Sequence, residues 1–131
     1  MGQLVLDSHA LLSVYFNEKG AEKVKLILKQ GQLGKVHLYI NEINLGEIYY
    51  RIAKQYGEIA AEEETRKVYL LMVELVPVDR AFILAAARWK GKYAISYADA
   101  FAVETAVRTN AQLVTGDPEF TKIREIEIVR V

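Results

Sequence analysis

Four acids stand where a carboxylate can do more than face water. Asp7 ends the short apolar run Gln3-Leu4-Val5-Leu6, and Asp117 follows Ala111-Gln112-Leu113-Val114-Thr115 after a single glycine. Glu47 lies within the first two turns of a helical pattern that opens after Val36-His37-Leu38-Tyr39-Ile40, and Asp99 lies in the first turn of a later one. Gathered at one end of a sheet, such acids would repel one another strongly unless a cation were present. Hard oxygen ligands suit Mg2+ or Mn2+, neither of which needs a complete protein cage, because water and substrate phosphate fill the remaining positions. The natural chemistry is phosphodiester hydrolysis, in which such an ion acidifies a water, orients it and offsets charge building on the phosphoryl group.

Each acid also has a purely structural role open to it. Asp7 can cap a helix, and Ser96-Tyr97-Ala98-Asp99 fits the capping box, in which a serine and an acid three residues on satisfy orphan amides. Asp117 sits in Gly116-Asp117-Pro118, a common turn sequence, and Glu47 among apolar neighbours can be an ordinary helix-surface residue. Capping and turn formation explain them singly. They do not explain why distant acids should meet at one sheet edge.

The elements that would bring them there alternate between strand and helix. After the first strand the pattern predicts a helix over 8–16 and a second over 21–30, which Gly31 and Gly34 end. A strand over 36–40 leads to Asn41, a good N-cap, and to a helix carrying Leu45, Ile48, Tyr49, Ile52 and Tyr56. Gly57 breaks it before another helix from Ile59 to about Glu74. Leu75-Val76-Pro77-Val78 reads as a short strand whose proline favours an edge or a strand end. Asp79 then caps a helix running to about Lys90 and closed by Gly91, and a further helix is predicted over 98–108. Strands over 111–115 and 125–131 complete the chain. This alternation calls for a parallel α/β sheet covered on both faces, whose functional crevice lies beyond the carboxyl ends of its strands.

Composition narrows the function classes. Hydrophobic residues make up 52% of the 131, enough for a core, and the absence of cysteine excludes disulfides, thiolate zinc sites and a cysteine nucleophile. Any metal must sit on oxygen or histidine. Lys+Arg and Asp+Glu are both 17, so no bulk basic field marks a nucleic-acid binder, although an enzyme that holds phosphate through a metal does not need one. The early acid at position 7 and the shortness of the apolar runs argue against a signal peptide or membrane helix, and the cytoplasm is the expected location.

Val5-Leu6-Asp7-Ser8, Asn44-Leu45-Gly46-Glu47-Ile48, Ser96-Tyr97-Ala98-Asp99-Ala100-Phe101 and Val114-Thr115-Gly116-Asp117-Pro118-Glu119-Phe120 together resemble the four signature blocks of PIN domains, in the same order and spacing. The likeness is closest to VapC-type toxins of prokaryotic toxin–antitoxin pairs and covers essentially the whole chain. It implies that residues 1–131 form a single PIN domain, an α/β/α sandwich around a mainly parallel sheet of about five strands. It further implies an Mg2+- or Mn2+-dependent endoribonuclease, usually a homodimer, held inactive by a cognate antitoxin. By position, Asp7, Glu47 and Asp99 would be the central acids, Asp117 a more variable fourth, and Ser8 and Thr115 polar supports.

Arg88-Trp89-Lys90-Gly91-Lys92-Tyr93 interleaves cations and rings, as a contact to single-stranded RNA would through Arg88, Lys90 and Lys92, although cations in a last helical turn also complement the helix dipole. Lys19, Lys23, Lys25, Lys29 and Lys35 read first as a solvated helix face, His9 and His37 as structural, and Tyr49, Tyr50, Tyr56 and Tyr69 as a surface for a partner or as core and rim. A receiver-type phosphoacceptor domain shares the alternation, but its paired acids after the first strand are missing where Ser8-His9 stands. A haloacid-dehalogenase-like phosphatase would need an acid at position 9. The non-enzyme alternative is a PIN-like module that keeps its acids but serves as an RNA-binding or assembly subunit.

Overall fold

The computed structural model describes residues 2–131. Its frame is a five-stranded, wholly parallel sheet of order β3-β2-β1-β4-β5, built from β1 (Gly2–Leu6), β2 (Val36–Asn41), β3 (Val73–Val76), β4 (Gln112–Thr115) and β5 (Ile128–Arg130). Parallel strands need crossovers, and these are supplied by α1 (Ser8–Tyr15), α2 (Ala21–Gln32), α3 (Glu42–Tyr56), α4 (Glu58–Leu70), α5 (Arg80–Lys92) and α6 (Tyr97–Thr109). The sheet and its helices form a PIN-like three-layer α/β/α sandwich.

Side-chain alternation along β1 divides the core. Leu4 and Leu6 join a cluster with Ala10, Leu11, Val24, Ile48, Ile52 and Val68 from α1 to α4, whereas Val5 faces Phe82, Ala86, Phe101 and Val103 from α5 and α6. Both faces being covered, the central strands read as continuous apolar runs. Helix α6 is buried from Ala100 through Ala106, and its alanines allow that close approach.

Several boundaries differ from the sequence expectation, each for a physical reason. Helix α2 runs through Gly31, which lies inside the helix and against β2; a Cβ there would stand 2.5 Å from Leu38 Cδ1. The stop comes from Gly34, at φ +74°. Helix α5 likewise continues past Gly91 to Lys92, the Tyr93 amide still bonding to Trp89 O at 2.9 Å. Helix α4 ends at Leu70 rather than near 74, because Val73 and Glu74 pair with Leu38 and Tyr39 of β2. Strand β3 is thus earlier than predicted and lies at the sheet edge, with Pro77 just past its end. Only Ile128–Arg130 of the last expected strand pairs, since β4 offers a partner just four residues long. A 3-10 helix over Pro118–Lys122 fills the interval, capped by Asp117.

Candidate active site

The strand order reverses beside β1: β2 and β3 extend the sheet on one side, β4 and β5 on the other. In open parallel sheets, ligands sit beyond the carboxyl ends of the strands at such a reversal, here the ends of β1 and β4. Asp7 is the first residue after β1 and Asp117 the second after β4, so their place follows from the strands that precede them. The Asp7 amide extends the ladder to Val114 O at 3.4 Å. Its carboxylate turns inward, 1% exposed, where Oδ1 accepts from the Ala10 amide at 2.7 Å and caps α1. Asp117 is held by two turns of hydrogen bonding: its amide donates to Thr115 Oγ1 at 3.0 Å, and its Oδ1 accepts from the Glu119 amide at 2.9 Å.

Helices bring the other two acids. Asn41 caps α3 through the Ile43 amide at 2.8 Å, and Glu47 lies on the second turn, half-buried, where it accepts a short hydrogen bond from the Ser8 hydroxyl. Ser96 caps α6 through the Asp99 amide at 3.1 Å, which places Asp99 in the first turn with its side chain half-buried.

Electrostatics tie the acids together. Burial pushes the Asp7 carboxyl up to about 7; the negative charges of Asp99 and Asp117 push it the same way, and hydrogen bonding from Thr115 and the Ala10 amide opposes them. Burial likewise raises Asp99 to about 6, with Asp117 and Glu47 adding repulsion against the Ser96 hydrogen bond. Asp99 therefore feels all three other acids or is felt by them. Such mutual repulsion in a water-poor site marks a place short of positive charge.

The expectation of four acids around one ion meets a limit in the side-chain geometry. Among the described residues, no three His, Asp or Glu side chains already converge closely enough to hold an ion. Asp7 and Asp117 each give one oxygen to a backbone cap and Glu47 gives one to Ser8, which leaves each carboxylate its second oxygen. The donor set still fits Mg2+ or Mn2+. It is all oxygen, two of its members are held short of ordinary ionisation by burial and repulsion, and Mg2+ commonly takes one or two carboxylates and keeps its waters.

Asn41, Asn44 and Thr105 belong to this neighbourhood and were not singled out as site residues from sequence. All three are fully buried. Asn41 Nδ2 donates to Thr105 Oγ1 at 3.0 Å, and Asn44 Nδ2 donates to Ala98 O at 3.1 Å, so α3 is tied twice to α6. The available signal was an asparagine one turn before Glu47 beside the apolar positions Leu45 and Ile48.

The suggested RNA contacts sit on the last turns of α5. Lys92 pairs with Glu125 at 2.5 Å, Lys90 donates to Ile95 O at 2.9 Å, and Arg88 is exposed. His37 bonds Glu74 at 3.0 Å and stacks on Tyr39, while His9 is exposed beside Gly116. Tyr50, Tyr56 and Tyr69 are exposed. No helix among the described residues is long and apolar enough to cross a membrane.

No curated protein matches the sequence. Solved structures share the fold at low identity. VapC20 of Mycobacterium tuberculosis, described as a Sarcin-Ricin loop cleaving toxin, superposes with a TM-score of 0.76 at 16% identity, covering 98% of this chain and 99% of that one. VapBC-1 of nontypeable Haemophilus influenzae gives 0.72 at 14% identity, covering 98% and 97%. VapBC2 of Rickettsia felis, bound to a promoter DNA fragment, gives 0.71 at 16% identity, covering 98% of each chain. The family model for the PIN domain matches residues 4–126, a span that takes in β1, the strand reversal and all four acids, and on that match the chain belongs to the PIN-domain family.

Proposed function

We propose that this protein is a metal-dependent endoribonuclease and the toxin of a VapBC-type pair, working in the cytoplasm as a homodimer restrained by a cognate antitoxin. The observation that carries the reading is the meeting at the strand reversal of Asp7, buried, and Asp99, half-buried, which repel one another and are raised to about 7 and about 6. Asp7, Glu47, Asp99 and Asp117 would hold Mg2+ or Mn2+. When bound, the ion supplies positive charge and Lewis acidity at the phosphate. Ser8 orients Glu47 by its hydroxyl, and Thr115 anchors the turn that carries Asp117. RNA as substrate and an antitoxin as partner draw support from the similar structures, one described as cleaving the Sarcin-Ricin loop and others as VapBC complexes.

Phosphate neighbours of the scissile bond have cations within reach. A cleft of about 950 Å3 beside Gly116 is lined by Lys19, Lys23 and Arg130 as well as by Glu18 and Glu22, and these lysines and the arginine form no ion pair among the described residues. Arg88 offers a further exposed cation on α5. A second reading, a non-catalytic RNA-binding or assembly module, draws on the lack, among the described residues, of a ready three-ligand cluster.

One assay separates the two. The purified chain is incubated with total RNA in Mg2+, in Mn2+ and in EDTA, beside Asp99→Asn. Cleavage that needs the ion and is lost in the variant supports the nuclease; RNA binding without cleavage, or cleavage undiminished in Asp99→Asn, defeats it.

A further inference from the structure

Asn44 occupies a position where the fold alone would favour a leucine. It is fully buried on α3, beside Leu45 and Ile48, which belong to the apolar core, and an apolar side chain there would leave no polar group to satisfy. Half of its amide is well used, since Nδ2 donates to Ala98 O at 3.1 Å. The other half is not: Asn44 Oδ1 is buried and finds no donor among the described residues. An orphaned buried acceptor is costly, and a side chain kept at that cost needs a reason beyond packing.

The reason lies in what Asn44 joins. It stands one turn before Glu47 on the same helix, and the carbonyl it grips belongs to the residue before Asp99. The asparagine therefore spans the gap between two acids that come from different helices and repel one another. Asn41, one turn earlier, makes a parallel tie from α3 to Thr105 of α6, but both of its amide groups are satisfied and it lies farther along α6 from Asp99. Asn41 anchors the helices; Asn44 acts at the site.

We infer that Asn44 is a positioning residue of the acid cluster, tying the first turn of α6, which carries Asp99, to the turn of α3 that leads into Glu47, so that both acids keep their places when a divalent cation binds. The inference rests on the proposed metal-dependent function and adds to it a residue outside the four acids. Such a tie is in keeping with the outer-shell partners that orient ligands in other metal sites.

The test uses the full chain and Mn2+ alone, followed by the electron paramagnetic resonance of free ion. Asn44→Leu removes both amide groups while keeping the branched outline of the side chain in a bulkier form, and Asn44→Ser removes them with a smaller side chain in case leucine does not fit. Thermal unfolding is recorded on each. Both variants are expected to unfold cooperatively and to bind Mn2+ about tenfold more weakly than the natural chain, with kcat for RNA cleavage reduced and KM little changed. Affinity within twofold of the natural chain in a folded variant overturns the inference and leaves the proposed function standing. Loss of folding in both variants also overturns it, assigning Asn44 to the core. Failure of the natural chain to bind Mn2+ strikes the proposed function itself, and is told apart because it precedes any substitution.

Discussion

The Ser8 hydroxyl donates to Glu47 Oε1 across 39 positions of sequence, joining the first turn of α1 to the second turn of α3. Ser8 is almost wholly buried and adjoins Asp7, so one short stretch of chain carries a buried acid and fixes the orientation of another. Replacing Ser8 by alanine leaves the Glu47 carboxylate without that donor. Urea denaturation should show a loss of about 1–2 kcal/mol, in the range for hydrogen bonds to a charged group. Cleavage should fall by roughly tenfold or more, as for other residues that orient a metal ligand. In a double-mutant cycle with Glu47→Gln the effects should be non-additive; strict additivity would mean the two side chains act independently.

The positions of Asp7 and Asp117 are legible in the chain because each directly follows an apolar run that must be a strand, and a strand end fixes where the next residues lie. Ser96 and Asp99 are legible for a similar reason, a capping pattern read over four residues. The role of Asn44 is not, since its partner, the Ala98 carbonyl, is a backbone group 54 positions away that carries no side-chain signature. Nor does glycine announce its purpose: Gly31 and Gly34 look alike as helix stops, yet one packs against β2 and the other turns the chain. The caps and hydrogen bonds that already engage these acids also lie below what residue type and spacing can express.

Gly31 supplies a test of packing. A methyl group there would meet Leu38 Cδ1 at 2.5 Å and Cγ at 3.0 Å, and Leu38, 1% exposed in the middle of β2, has no free space to retreat into. Gly31→Ala should gain roughly 1 kcal/mol of helix propensity but lose about 1–3 kcal/mol to overpacking, for a net lowering of the melting temperature. Adding Leu38→Ala should recover part of the clash. A single variant more stable than the natural chain would show that α2 can slide away from β2 at little cost.

Asp7 makes stability depend on pH in a sense opposite to that of a salt-bridged acid. Its folded carboxyl holds its proton up to about 7, whereas the unfolded chain releases it near the ordinary value of 3.8. Between these values the folded state binds more protons, so in metal-free buffer the contribution of Asp7 to stability falls as pH rises and levels off above the folded value. Asp7→Asn stays neutral throughout and still presents an oxygen to the Ala10 amide. Denaturation in EDTA should therefore find the variant at least as stable as the natural chain near pH 8, the difference closing towards pH 4, while RNA cleavage is lost. A variant clearly less stable at the higher pH would contradict the burial argument.

Cation binding must displace the protons that burial and repulsion retain. With Asp7 raised to about 7 and Asp99 to about 6, the free site is partly protonated below neutrality, and a divalent ion competes for the same oxygens. Apparent Mn2+ affinity should then climb as pH passes through this window and flatten above it, where both carboxylates are already ionised. Calorimetry in two buffers of different ionisation heat reads the exchange directly. Near pH 6 the observed enthalpies should differ by the heat of the released protons, and near pH 8 they should agree. In Asp7→Asn the part of the release with the higher midpoint should vanish while the Asp99 part persists wherever residual binding is measurable. Enthalpies that coincide in both buffers at the lower pH would place the ion away from these two acids, the carboxylates raised into that range among the described residues.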